Sequence, residues 1–199
     1  MVKEGLPFVI VPGLLAMFSA YFQIWWLAGV FAAIAVFMAY FFRDPYRESP
    51  EGEGLILAAC DGTVTRIDTN NDGKLVSVFM SPLDVHINRS PIGGKVTKAD
   101  YIKGKKNPAT SNQASLTNER NTLTIEGEGI TLKTTQIAGI MARRIVCWAK
   151  EGDELRQGEK YGLIKFSSRT DVAMPSNVEI RVKIGDHVKG GETILAVIG

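Results

Sequence analysis

Three residue types in this sequence carry reactive groups in settings that set them apart. Ser167-Ser168 follows the apolar run Tyr161–Phe166 and precedes Arg169-Thr170-Asp171. A serine hydroxyl is a weak nucleophile until a base activates it, and most Ser-Ser pairs are solvated loop residues. This pair stands at a turn between two predicted strands. His86 is one of two histidines; its imidazole titrates in the range where proton transfer is useful, although a single His at a strand end commonly serves structure or surface. Asp61 lies in Cys60-Asp61-Gly62, where Asp-Gly ordinarily signals a β turn. Arg143 and Arg144 adjoin an apolar strand and read equally as a salt-bridged edge or as guanidinium forks for a phosphate, with Arg89 and Arg169 as rivals for that task. Asn118–Asn121 reads as structural and His187 as a surface turn residue.

Other chemistries are excluded. Cys60 and Cys147, the two cysteines, sit in LAAC and RIVCW, without the CxxC or Cys/His spacing of a zinc site, and read as free buried thiols. A net charge of +2 without a Lys/Arg run argues against nucleic acid as a partner. No metal or nucleotide motif is present.

The elements that must position these groups fall into two parts. From Leu6 to Phe42 there are 37 residues without a charge. As one helix they would reach roughly 55 Å at the usual rise, against about 30 Å of hydrocarbon. The interruption Ser19–Gln23, followed by Trp25 and Trp26, suits a turn at the far interface, where aromatic side chains concentrate. Residues 1–44 therefore read as a membrane-anchoring helical hairpin with Lys3, Arg43 and Arg47 on one side. The positive-inside bias puts that side, and the following domain, in the cytoplasm.

Residues 45–199 read as a β-rich domain. Thr63–Asp68 and Leu75–Phe79 flank Asn70-Asn71-Asp72-Gly73, and Thr122–Glu126 and Thr131–Ile137 flank Gly127-Glu128-Gly129; both are hairpin signatures. Gly152–Glu159 recurs as Gly185–Glu192, 33 residues later, each copy a polar turn before an apolar strand, Tyr161–Phe166 and Thr193–Ile198. The repeat is similar to the biotinyl and lipoyl carrier barrel, with the serine pair where a carrier has its modifiable Lys. The expected fold is mainly β, a barrel-sandwich of the biotinyl/lipoyl kind behind the membrane hairpin.

The order of short motifs carries a further resemblance. Phe41–Pro45, Ala59–Val64, Ser81–Pro91, Asn118–Asn121, Gln136–Gly139, Ala142–Ile145 and Phe166–Arg169 together resemble the phosphatidylserine decarboxylases over nearly the whole chain. The resemblance implies a proenzyme that cleaves itself between Ser167 and Ser168. Ser168 attacks the carbonyl of residue 167, the peptide becomes an ester, and β-elimination leaves dehydroalanine, which hydrolyses to a pyruvoyl group. That covalent cofactor heads an α chain, 168–199, beside a β chain, 1–167. It forms a Schiff base with the substrate amine and accepts the electrons left by departing CO2, turning phosphatidylserine into phosphatidylethanolamine. The implied partner is a membrane phospholipid.

By the same resemblance His86 transfers protons, Asp61 belongs to the processing machinery, and Arg89, Arg143, Arg144 and Arg169 are substrate-binding residues. Two positions depart from the family pattern. Ser167 replaces the usual Gly, and Arg89 stands where longer bacterial members have a second His. Other pyruvoyl decarboxylases also cleave a Ser-Ser bond. An archaetidylserine substrate, a homo-oligomer, an uncleaved relative and a non-catalytic lipoyl-like adaptor remain open on sequence alone.

Overall fold

The computed structural model describes residues 1–105, 107, 117–139, 144–166 and 168–199. Two compact units result, Met1–Tyr46 and Arg47–Gly199. In the first, helices α1 (Leu6–Tyr21) and α2 (Trp25–Phe41) pack as a hairpin around Phe22-Gln23-Ile24, where Gln23 takes a positive φ of 59°. The hairpin closes where Val2 N donates to Phe42 O at 3.2 Å and Phe8 stacks on Phe42. Lys3–Tyr21 is long and apolar enough to cross a membrane, and α2 is a shorter apolar helix. Tyr21, Phe22, Trp25 and Trp26 at the tip are exposed.

The second unit is mainly β. In chain order its described strands are β1 (Leu55–Leu57), β2 (Gly62–Asn70), β3 (Gly73–Met80), β4 (Ile87–Arg89), β5 (Gly94–Ile102), β6 (Arg120–Gly127), β7 (Ile130–Ala138), β8 (Arg144–Cys147), β9 (Glu154–Leu155), β10 (Lys160–Lys165), β11 (Ser168–Met174), β12 (Val178–Ile180), β13 (His187–Val188) and β14 (Ile194–Ile198). They form an eight-stranded curled sheet, β13-β2-β3-β11-β7-β6-β5-β9, and two three-stranded sheets, β4-β10-β8 and β1-β14-β12.

Local chemistry accounts for the hairpins. Asn70 Oδ1 accepts the N–H groups of Asp72 and Gly73 at 3.1 and 2.9 Å, closing the β2–β3 turn. Glu128 and Gly129, with φ of 53° and 77°, form the left-handed pair that suits the twist of β6 and β7. Side chains alternate along the start of β7: Ile130, Leu132 and Thr134 face inward, whereas Thr131 and Lys133 face out. Strand β11 differs, with Ser168 through Val172 buried on both faces.

The 33-residue repeat is visible as a twofold relation. Its two turns supply β9 and β13, which close opposite ends of the large sheet by pairing with β5 and β2. Matching backbone bonds follow: Gly152 N to Val96 O and Gly185 N to Val64 O, both at 2.8 Å, and Gly158 N to Ser90 O and Gly191 N to Ala58 O, at 2.9 and 2.8 Å. One apolar cluster, including Ile56, Val76, Val78, Leu123, Ile125, Ile164, Val172 and Leu195, fills the interior.

Gly62 and Gly94 occupy matching places in the two halves, at φ of 142° and 156°. A β-carbon on either would overlap a carbonyl oxygen of the neighbouring strand, that of Phe79 or Glu126. Gly62→Ala should lower unfolding free energy by about 2 kcal/mol or more, read by urea denaturation, whereas Gly185→Ala, where no atom lies within 4 Å, should lose only its backbone strain.

Candidate active site

Ser168 does not sit in an exposed turn. It is the first residue of β11, paired with Met80 of β3 and Ala138 of β7, and is fully buried. Its Oγ donates to Met80 Sδ at 3.7 Å. The expected turn lies just upstream: β10 ends at Lys165, and Phe166 adopts a left-handed φ of 67°. That conformation costs a bulky L-residue of order 1–3 kcal/mol, so backbone strain collects two residues before the buried hydroxyl. Ser167 lies outside the described residues.

His86 borders the same connection. Ile164 N, four residues before Ser168, donates to His86 O at 3.2 Å, and the ring is buried. Its Nδ1 stands 3.0 Å from Asp84 O. A carbonyl only accepts, so Nδ1 carries a proton in this contact and donates it to Asp84 O. Asp84 is itself fixed: its Oδ2 accepts Ser81 N at 2.7 Å, and its Oδ1 faces His187 Nε2 at 3.4 Å. His187 is exposed, as expected, and gains a partner the sequence did not signal.

Asp61 precedes β2. Thr63 pairs with Phe79, which pairs with Arg169, so Asp61 stands two strand spacings, about 10 Å, from the Ser168 backbone. Its carboxylate is held by Arg47 Nη2 at 2.7 Å and Gly190 N at 2.8 Å. Burial pushes its pKa above the ordinary carboxylate value, while the Gly190 N–H and the Arg47 cation pull it down. Arg47 also reaches Glu192 Oε2 at 2.9 Å.

The four arginines separate. Arg169 is buried and grips Asp171, Nε to Oδ1 at 2.9 Å and Nη2 to Oδ2 at 3.0 Å. Arg89 Nη1 donates to Gly158 O at 3.0 Å. Arg144 is exposed at the start of β8, opposite Lys165. Arg143 lies outside the described residues. Of the three described, Arg144 is the exposed one, while Arg169 is engaged inside the sheet.

Beneath Ser168 runs a buried polar chain. Asn121 Nδ2 donates to Gln136 Oε1 at 3.2 Å, Gln136 Nε2 to Asn88 Oδ1 at 2.8 Å, and Asn88 Nδ2 to Thr170 Oγ1 at 2.9 Å. The thiols of Cys60 and Cys147 lie near its ends, Cys147 Sγ donating to Ala149 O at 3.3 Å, and burial raises the pKa of both. Both cysteines are free, Cys60 buried and Cys147 half-buried, so they stay thiols rather than nucleophilic thiolates.

The sequence profile described as phosphatidylserine decarboxylase matches residues 34–196. The chain belongs to the phosphatidylserine decarboxylase family. Relatives named phosphatidylserine decarboxylase proenzyme include one from Syntrophus aciditrophicus, 42% identical over 202 residues and covering 97% of this chain and 95% of its own. One from Geotalea uraniireducens is 40% identical over 202 residues, covering 98% and 95%. One from Ruegeria pomeroyi is 44% identical over 187 residues, covering 88% and 85%.

Sequence reasoning about this decarboxylase-family chain missed Arg47, Asp84 and Glu192. Arg47 reads from sequence only as a flanking membrane charge, because nothing local marks a contact made 14 and 145 positions away. Asp84 acts through a main-chain carbonyl, which no residue type announces. Asp171→Asn would remove the carboxylate that grips the buried Arg169, and breaking such a pair costs about 3 kcal/mol or more. Urea unfolding of the variant should show that loss, and an unchanged midpoint would overturn the assignment of this pair as a structural ion pair.

Proposed function

We propose that this chain is the proenzyme of a pyruvoyl-dependent decarboxylase that converts phosphatidylserine to phosphatidylethanolamine, with Ser168 as the source of the pyruvoyl group. The observation that carries the reading is a buried serine heading the central strand two residues after the strained Phe166, with a buried histidine bonded to the strand that leads there. Membership of the family supports the reaction and the proenzyme form.

In the self-processing step Ser168 Oγ attacks the Ser167 carbonyl carbon, and the C–N bond breaks as the C–O bond forms. Removal of the Ser168 α-proton expels the Ser167 carboxylate. Water then replaces the nitrogen of the resulting enamine, releasing ammonia. A Gly at position 167 would ease this rearrangement through its backbone freedom, and the left-handed turn at Phe166 supports the same end in this chain.

The residues present fit the group. A pyruvoyl carbonyl at position 168 would head a strand held on both edges, and it supplies an electron sink for decarboxylation of an amine-bearing substrate. His86, with Nδ1 donating to Asp84 O, is the residue assigned to move protons. Asp61 contributes negative charge to the processing region, and Arg144 and Arg143 receive the lipid phosphate. The hairpin of α1 and α2 anchors the chain in the cytoplasmic membrane with the β domain on the cytoplasmic side. The β domain is of the biotinyl/lipoyl type, which its paired repeat turns support. After cleavage residues 1–167 and 168–199 stay together as β and α chains.

Intact mass of the purified protein tests the reading. The expected result is an α chain starting at residue 168, lighter than its serine-headed form by about 17 Da, through exchange of NH for O and loss of water, with release of CO2 from phosphatidylserine vesicles. Ser168→Ala should remain one chain and release none, and Ser167→Gly should process at least as fast as the native sequence. A single chain of full mass from the native sequence would reassign it as an uncleaved relative.

A further inference from the structure

The internal repeat offers a control built into the molecule, because each half shows what the fold requires of the other. The two turns share their backbone bonding: Asp153 N to Lys150 O and Asp186 N to Lys183 O, both at 3.1 Å, and Glu159 N to Arg156 O and Glu192 N to Lys189 O, at 3.0 and 3.1 Å. Their first caps match as well, with Lys150 N on Asp153 Oδ2 at 2.8 Å and Lys183 N on Asp186 Oδ2 at 2.9 Å.

The second caps diverge. In the first turn Glu159 Oε2 accepts Arg156 N at 2.9 Å. At the matching place in the second, Lys189 N is capped by Thr193 Oγ1 at 2.9 Å. Glu192 is thereby released from capping, and its carboxylate meets Arg47 instead. Opposite these turns the halves diverge again. Asp61 accepts Gly190 N, whereas the residue 32 positions on, in the place of Asp61, is Gly93. Gln157, in the place of Gly190, sends its side chain to Leu55 O and Pro91 O. The fold forms both ends of the sheet, but only one end carries the Asp61, Arg47, Glu192 cluster.

We infer that Arg47, braced by Glu192, is a positioning residue that holds Asp61 in place and ionised for self-cleavage, so that a turn of the future α chain completes the processing site formed by the β chain. The inference rests on the reading of Asp61 as part of the processing machinery. It is supported by geometry: Arg47 spans both carboxylates with separate nitrogens, at 2.7 Å to Asp61 and 2.9 Å to Glu192, and its side chain is only 9% exposed. Such a fork holds direction as well as charge. The Gly190 N–H also favours the ionised form, and the remaining groups that face Asp61 work against ionisation or leave it unchanged. Asp84 adds negative charge, and Cys60 beside it is a protonated thiol. His187 is turned to Asp84, and Lys189 lies 4.0 Å from Glu192. Without Arg47, burial and Asp84 would both favour the protonated acid.

The test follows cleavage of freshly synthesised full-length precursor by intact mass, in detergent, across weakly acidic to alkaline buffers. Arg47→Met should move the acidic limb of the rate profile to higher pH, slowing cleavage about tenfold along that limb for one unit of carboxyl shift, with recovery as the pH rises above it. Arg47→Lys should keep the limb in place, since the charge survives, but cleave several-fold slower because an ammonium does not fork. Glu192→Ala, which keeps the cation and removes its brace, should also slow cleavage several-fold without raising the limb. Glu159→Gln, in the matching turn, should leave rate and profile unchanged. Native rate and profile in Arg47→Lys and Glu192→Ala, with Asp61→Asn uncleaved, would overturn the positioning role and leave the Asp61 reading intact. Native cleavage in Asp61→Asn would remove the reading beneath it. If Arg47→Met fails to fold, shown by loss of its thermal transition, the Lys and Glu192 variants decide the question.

Discussion

The structure depends on β11 being hydrogen-bonded along both edges. Its residues pair with β3 from Met80 to Lys74 and with β7 from Ala138 to Lys133, so the segment that begins at Ser168 is the middle of the large sheet rather than a flap on it. A cut before Ser168 would therefore free no strand. The same segment is held elsewhere by β13 on β2 and β14 on β1. A chain end made there would keep its position to within the stiffness of the sheet, as the proposed pyruvoyl group would require.

Burying β11 on both faces brings polar groups inside, and each has to be answered. On one face the chain Asn121–Gln136–Asn88–Thr170 links four strands by side chains alone. Broken at any point, it would leave a buried donor or acceptor without a partner, at a cost of about 1–3 kcal/mol. On the other face Arg169 and Asp171 neutralise each other. Neither arrangement adds much net stability over apolar packing. Both fix the register of β11, since a slip by one residue would exchange the two faces.

The approach to that strand is under strain where the rest of the sheet is not. Among described residues outside glycine, positive φ occurs at Gln23, Glu128 and Phe166. The first two are turn residues. Phe166 is an aromatic residue at the end of β10, in a conformation usually left to glycine. Ile164 is bonded to His86 on one side of Phe166, and Ser168 is pinned in the large sheet on the other. The strands on the two sides of Phe166 thus belong to two separate sheets.

Whatever depends on near neighbours and on period was legible in the chain before any folding was considered. The apolar run and its break specify a helical hairpin, since Gln23 interrupts the run where α1 ends. Asn70–Gly73 and Gly127–Gly129 specify two strand pairs, because turn chemistry acts within four residues. The spacing of Gly152–Glu159 and Gly185–Glu192 specifies the repeat, whose halves bond alike. Motif order specifies the family. Long-range pairing settled what remained. Ser168, read as part of a turn, heads a buried central strand, because the pairing that buries it comes from Met80 and Ala138, 88 and 30 positions earlier. Arg169, read as a headgroup ligand, turned inward because both faces of β11 are covered and its charge needed Asp171. Arg47, read as a flanking charge, found Asp61 and Glu192. Short-range pattern sets the elements, but a charge buried between distant strands is answered by whichever group the fold carries to it.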